Sequence, residues 1–146
     1  QIAFIDPHFK PEMSRYYRPL REYIRVACTE RLRPVERIEF HLKCVGTADF
    51  FQSELDRNLR NYLPAGLAIE FRRLRERQGG EKLHARYVLT ERGGLKVEVG
   101  LDSGSAGETT PVDCMTEIEY RKVWSDFLAE ETAFDLVDRF YLEGSF

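Results

Sequence analysis

Apolar residues change their period several times along the chain. Ile2-Ala-Phe-Ile5 is a continuous apolar run stopped by Asp6-Pro7 and predicts a short buried strand. Leu20, Ile24, Ala27 and Cys28 then recur at helical spacing, with Arg21, Glu22 and Arg25 on the opposite face. Pro19 is tolerated in such a helix's first turn, and Pro34 follows its end. Arg37-Ile-Glu-Phe-His-Leu-Lys43 alternates strictly, which predicts a strand with Ile38, Phe40 and Leu42 buried and its polar face, His41 included, turned to solvent. The stretch 46–49 reads as a turn into a helix cap. Phe51, Leu55, Leu59 and Leu63 form the stripe of a second helix, stopped by Pro64. Residues 67–71, 86–89 and 95–99 predict three more strands. The last two are joined around Glu91-Arg-Gly-Gly94, whose glycines supply the positive backbone angles of a hairpin turn. Residues 102–116 read as a flexible acidic loop, and 117–142 as a closing helix or strand-and-helix segment built on Ile118, Val123, Trp124, Phe127, Phe134, Leu136 and Phe140.

Strands alternating with helices imply parallel pairing through crossover helices. The order β-α-β-α-β-hairpin therefore predicts an α/β or mixed α+β sheet with flanking helices. At 146 residues the length fits one domain, 1–146, and a first residue of Gln1 fits a piece of a larger protein. No apolar run is long enough to cross a bilayer, and no signal-peptide pattern opens the sequence. The three cysteines, Cys28, Cys44 and Cys114, are odd in number and widely spaced. That spacing argues against a disulfide scaffold or a zinc site and fits a reducing, cytoplasmic compartment.

A net charge of −3 conceals a division. Residues 1–97 carry 19 lysines and arginines against 13 acids, whereas residues 98–146 carry 3 against 12. Arg15, Arg18, Arg21, Arg25, Arg31, Arg33 and Arg37 make one basic stretch, and Arg72, Arg73, Arg75, Arg77, Lys82, Arg86 and Arg92 a second. Two readings stand: solvated faces balanced by the acidic tail, or an electropositive surface for a phosphate-bearing partner.

The candidate chemistry lies in LHARYVLTERGGLKVEVGLDSG, residues 83–104. His84-Ala-Arg86, four residues, then Glu91, resembles the His-x-Lys, four residues, then Asp motif of the phospholipase D superfamily, and Gly100-Leu-Asp102-Ser103 stands near where that family carries a glycine-led Asn segment. Ile2-Ala-Phe-Ile-Asp-Pro-His-Phe9 resembles the family's opening strand ending in Asp-Pro-aromatic. The closest resemblance is to the phospholipase D-like C-terminal domain of MIT-domain proteins and to bacterial relatives in defence systems. It spans about residues 2–104.

The resemblance implies a histidine nucleophile, His84, with Arg86 holding phosphate oxygens and Glu91 orienting the imidazole. It implies no metal and no cofactor. With one motif per chain, a complete catalytic site would need a homodimer that brings two His84 residues together. The substitutions weigh against turnover. Arg86 has a larger fork than lysine, Glu91 reaches one methylene further than aspartate, and Asp102 places a carboxylate where the family has a neutral amide. The resulting expectation is a recognition or assembly module for a phosphate-bearing ligand (nucleic acid or anionic lipid) or a partner protein, in the setting of a bacterial defence assembly where the resemblance extends that far. Its binding residues would be His84, Arg86, Asp102, Arg18, Arg21 and Arg25. Alternatives are a metal-independent homodimeric phosphodiesterase or nuclease, and a protein-interaction domain that uses the acidic segment around Glu117, Glu119 and Asp126. In a plainer reading Arg86 and Glu91 form only a surface ion pair.

Overall fold

A computed structural model of the chain describes residues 1–29 and 35–146. Arg31, Arg33 and Pro34, which sequence assigns to the first basic stretch and the helix stop, lie outside the described residues. Among the described residues, seven strands form one mixed sheet in the order β6-β5-β4-β1-β2-β3-β7. At its centre β1 (Ile2–Ile5), β2 (Ile38–Lys43) and β3 (Ala68–Glu76) run parallel, connected by α1 (Ser14–Thr29) and α2 (Ala48–Asn58). β4 (Tyr87–Thr90) joins β1 antiparallel, β5 (Gly93–Val97) pairs with β4, and β6 (Val112–Cys114) with β5. After α3 (Glu117–Leu128), β7 (Phe134–Glu143) returns antiparallel to β3. The architecture is mixed α/β, and among the described residues no helix is long and apolar enough to cross a membrane.

Alternation along the central strands divides the core into two layers. Phe4, Phe40 and Phe71 pack against Leu20 and Ile24 of α1 and Phe51 and Leu55 of α2. Ala3, Ile5, Leu74 and Leu89 face the other way, against Val123 and Phe127 of α3 and Phe134 of β7. Cover on both faces overturns one expectation. The polar face of β2 is not solvated: Glu39 and His41 are each 1% exposed.

Several boundaries also move. β3 runs on to Glu76 through the arginine-rich stretch, because β7 brings acids alongside. Arg73 is buried and grips Asp138 through Nε and Nη2 at 2.7 and 2.6 Å, and Arg77 pairs with Asp135 at 2.8 Å. The second basic stretch is thus in part strand pairing rather than an open electropositive surface. Residues 112–114, expected in the acidic loop, form edge strand β6, and 117–142 is helix then strand. The hairpin turn is Glu91-Arg92, since Thr90 pairs with Gly93. Gly94 is instead a packing position, where a Cβ would come within 2.6 Å of Leu89 Cδ2 and Met115 Sδ.

α3 begins with a capping box. Thr116 Oγ1 accepts from the Glu119 N–H at 3.2 Å, and Glu119 Oε2 accepts from the Thr116 N–H at 2.8 Å. That backbone bond, with Lys96 beside it, holds the Glu119 carboxyl down at about 2. Thr116→Ala is expected to lower stability by about 1 kcal/mol, read by urea unfolding. An unchanged midpoint would mean that the cap is not holding the helix.

Candidate functional site

Asp6 is the residue with which β1 leaves the sheet. Its N–H still donates to the His41 carbonyl at 3.0 Å, while its carboxylate, 1% exposed, is fully used: Oδ1 accepts from the His8 N–H at 3.1 Å and Oδ2 from the Leu101 N–H at 3.0 Å. Arg86 enters β4 beside it. Its Nε lies 3.6 Å from Asp6 Oδ1, and its Nη1 donates to the Glu98 carbonyl at 2.9 Å. Gly100, at φ +64°, is the only residue type that fits between them. A Cβ there would collide with Asp6 Oδ2 and stand 2.7 Å from Arg86 Cδ.

The loop that follows is fastened to α1. Arg15 donates from Nε to Asp102 Oδ1 at 2.8 Å and pairs through Nη2 with Oδ2 at 2.7 Å, and the Gly104 N–H adds a third bond to Oδ1 at 2.8 Å. The Ser103 N–H donates to the Arg15 carbonyl at 2.8 Å. That carbonyl is unclaimed within the helix because Pro19, four residues on, has no N–H. Arg15 holds the Asp102 carboxyl below the usual carboxylate range, assisted against partial burial by the Gly104 N–H and by Arg86. Burial raises the Tyr16 hydroxyl, with Asp102 adding to it, and Arg15, Asp6 and Arg86 act on the same ring. Asp6, Arg15, Tyr16, Arg86 and Asp102 therefore share one neighbourhood at the carboxyl end of β1.

The other sequence candidates fall elsewhere. His84 is exposed and, among the described residues, has no hydrogen bond to orient it. It borders two hollows. One, of about 250 Å³, lies against α3 and is floored by Val123, Phe127 and Phe134; the other, of about 420 Å³, is shared with Arg86, Lys96 and Glu98. The lysines there are already paired, Lys96 with Glu119 at 2.9 Å and Lys122 with Asp126 at 2.7 Å. Glu91 lies in the turn at the far end of β4, beside Gln1. The whole of β4 lies between it and His84, so it orients neither His84 nor Arg86. In α1, Arg21 lies over the Tyr17 and Tyr62 rings and donates to the Asn58 carbonyl. Arg25 pairs with Glu22 at 2.9 Å, and Arg18 is exposed with no ion pair among the described residues. Arg15 and Tyr16 are the α1 residues that reach the cluster. Their signal in sequence was Pro19, which marks a carbonyl four residues earlier as available.

A second polar group is closed inside the sheet. Glu39 and Glu70 lie side by side on β2 and β3, bridged by Arg37 and flanked by Arg72 and Arg139. His41 Nε2 meets Glu39 Oε2 at 2.8 Å, and its ring stands edge-on to Phe127. Burial lowers the His41 pKa in spite of Glu39, so the ring is neutral and donates its Nε2–H. Burial works to raise Glu39, but the His41 bond and the Arg37 and Arg72 charges leave it lowered. With Glu39, His41 and Glu70 almost wholly covered and Arg37 and Arg139 only capping them from the surface, this cluster holds the fold rather than meeting a ligand. Among the described residues, no three His, Cys, Asp or Glu side chains converge on a metal-sized point.

Comparison with protein-family models, curated proteins and solved structures found no match to this chain.

Proposed function

We propose that the chain is a phospholipase D-like domain that recognises a phosphate-bearing ligand, nucleic acid or anionic lipid, instead of cleaving one. One observation carries this reading. Asp6, Arg86 and Gly100-Leu101-Asp102 come from distant parts of the sequence and meet at the carboxyl end of β1, while His84 is left without an orienting partner. Attack on phosphorus requires a histidine held in one tautomer and one direction. Recognition needs less. Arg86 is buttressed by Asp6 and the Glu98 carbonyl, 27% of its side chain is exposed, and its Nη2 makes no hydrogen bond among the described residues. A preorganised guanidinium with a free face suits a phosphate oxygen. The position also supports it, since open α/β sheets bind ligands beyond the carboxyl ends of their parallel strands.

The test is binding of a fluorescent oligonucleotide and of anionic vesicles across a salt series. Affinity is expected to fall as salt rises, and Arg86→Ala to weaken it about tenfold, the scale of one charge-assisted hydrogen bond. Bis(p-nitrophenyl) phosphate is expected to be hydrolysed no faster by the native chain than by His84→Ala. Turnover that survives a chelator and is lost in His84→Ala would overturn the reading in favour of the dimeric phosphodiesterase.

A further inference from the structure

We propose that Arg15 and Arg86 are the two arms of a subsite for a phosphate monoester, and that the Asp102 carboxylate occupies Arg15 until the monoester displaces it. The inference rests on the preceding reading of this cluster as a site of phosphate recognition.

The Arg15–Asp102 contact is a two-pronged bond, Nε to Oδ1 and Nη2 to Oδ2, at 2.8 and 2.7 Å. A guanidinium makes the same fork to any anion with two oxygens at that spacing, and phosphate is such an anion. The Arg15 side chain is 48% exposed, so an anion reaches its guanidinium from solvent, while the Asp102 it displaces is 16% exposed. The loop does not depend on the carboxylate for its attachment. The Ser103 N–H donates to the Arg15 carbonyl and the Leu101 N–H to Asp6 Oδ2, and neither bond involves the Asp102 side chain, so both stay in place when Asp102 turns away. A displaced Asp102 also keeps a donor, the Gly104 N–H. The exchange is therefore a side-chain movement within a tethered loop.

Charge selects the class of ligand. A phosphate monoester carries about −1.5 to −2 at neutral pH, more than the single charge of Asp102, and can outcompete it on Arg15 while also meeting Arg86. A diester carries one charge and has no such advantage. The chemistry named is thus the terminal monoester, whether on a soluble metabolite or on a lipid headgroup. Asp6 beneath completes the floor, and its oxygens, already held by two backbone amides, leave Arg86 only partly neutralised.

The experiment titrates inorganic phosphate, glycerol 3-phosphate and vesicles of phosphatidic acid or phosphatidylglycerol into the native chain, Asp102→Asn, Arg15→Gln, the Asp102→Asn/Arg15→Gln pair and Arg86→Gln. Asp102→Asn is expected to bind inorganic phosphate about tenfold more tightly, and the double variant to lose that gain. In the native chain the Arg15 Nε–H NMR resonance is expected to shift as phosphate replaces the carboxylate. Binding of glycerol 3-phosphate as tight as that of phosphatidic acid vesicles supports a soluble ligand, and preference for the vesicles over both phosphatidylglycerol and the soluble ester supports a headgroup. An Arg15 resonance that stays still at saturating phosphate overturns the displacement, even if Asp102→Asn fails to fold. Equal affinity in the native chain and Asp102→Asn, with Arg86→Gln still weakened, overturns this inference and leaves phosphate recognition standing. Failure of every chain to bind any probe removes both.

Discussion

Acidification from about pH 7.5 to about pH 5.5 is expected to destabilise the protein, at up to about 1.4 kcal/mol per pH unit for one titrating group. The cause is His41. Its ring is 1% exposed, closed in by Phe127 and Ile5, with Glu39, Glu70 and Arg72 as the charged groups around it. Burial lowers its pKa in the fold below the ordinary imidazole value of about 6.5. Below about pH 6.5 the unfolded chain takes up a proton that the folded one refuses, so stability is complete above that pH and falls as pH drops through it. Glu39, whose folded pKa is also lowered, acts in the same direction but later. Its contribution is present above the ordinary glutamate value of about 4.5 and is lost as acid protonates it. The two losses should appear in urea unfolding as successive slopes. His41→Leu is expected to be less stable at neutral pH, because Glu39 loses a donor, yet nearly flat between about pH 7 and about pH 5.5. A slope that persists in that variant would place the titration elsewhere.

That cluster was not legible in sequence, and the reason is general. Arg37–Lys43 has the alternation of a half-exposed strand, and period alone cannot distinguish a polar face in water from one covered by α3 and paired across strands. The partners that make burial tolerable, Arg72 of β3 and Arg139 of β7, lie far along the chain. What could be read was whatever local pattern decides: the two crossover helices from their apolar stripes, though α2 ends at Asn58, before Leu59 and Leu63 of its stripe; a cap within 46–49, where Thr47 Oγ1 accepts from the Phe50 N–H; and the β-α-β-α-β order. The division of charge was visible, but its resolution was not. The acids of β7 neutralise the arginines of β3 only because those two strands are neighbours, and sequence had left the closing segment undecided between helix and strand-and-helix. At the candidate site the separate fragments were readable as Asp-Pro, His-x-Arg and Gly-Leu-Asp. Their selection was not. His84 precedes the ordered strand and stays unpartnered, Glu91 follows β4 at its other end, and Arg15 enters because a proline frees its carbonyl.

Gly100→Ala is expected to cost roughly 2–4 kcal/mol and to abolish Arg86-dependent anion binding. About 1–2 kcal/mol of that comes from forcing an L side chain to φ +64°. The remainder is overlap, because the new methyl collides with Asp6 Oδ2 and lies 2.7 Å from Arg86 Cδ. Neither neighbour yields easily. Asp6 is buried with both oxygens bonded to backbone amides, and Arg86 is braced by the Glu98 carbonyl. Gly107 supplies the control. It has φ +84° with nothing within 4 Å of its would-be Cβ, so Gly107→Ala should show the backbone penalty alone and bind phosphate as the native chain does. The difference between the two variants in urea unfolding measures the packing of Asp6 against Arg86 through the space that Gly100 leaves. If Gly100→Ala proves as stable as Gly107→Ala and binds as well, the two side chains are not held in register by that glycine, and Arg86 has no preorganised position from which to recognise an anion.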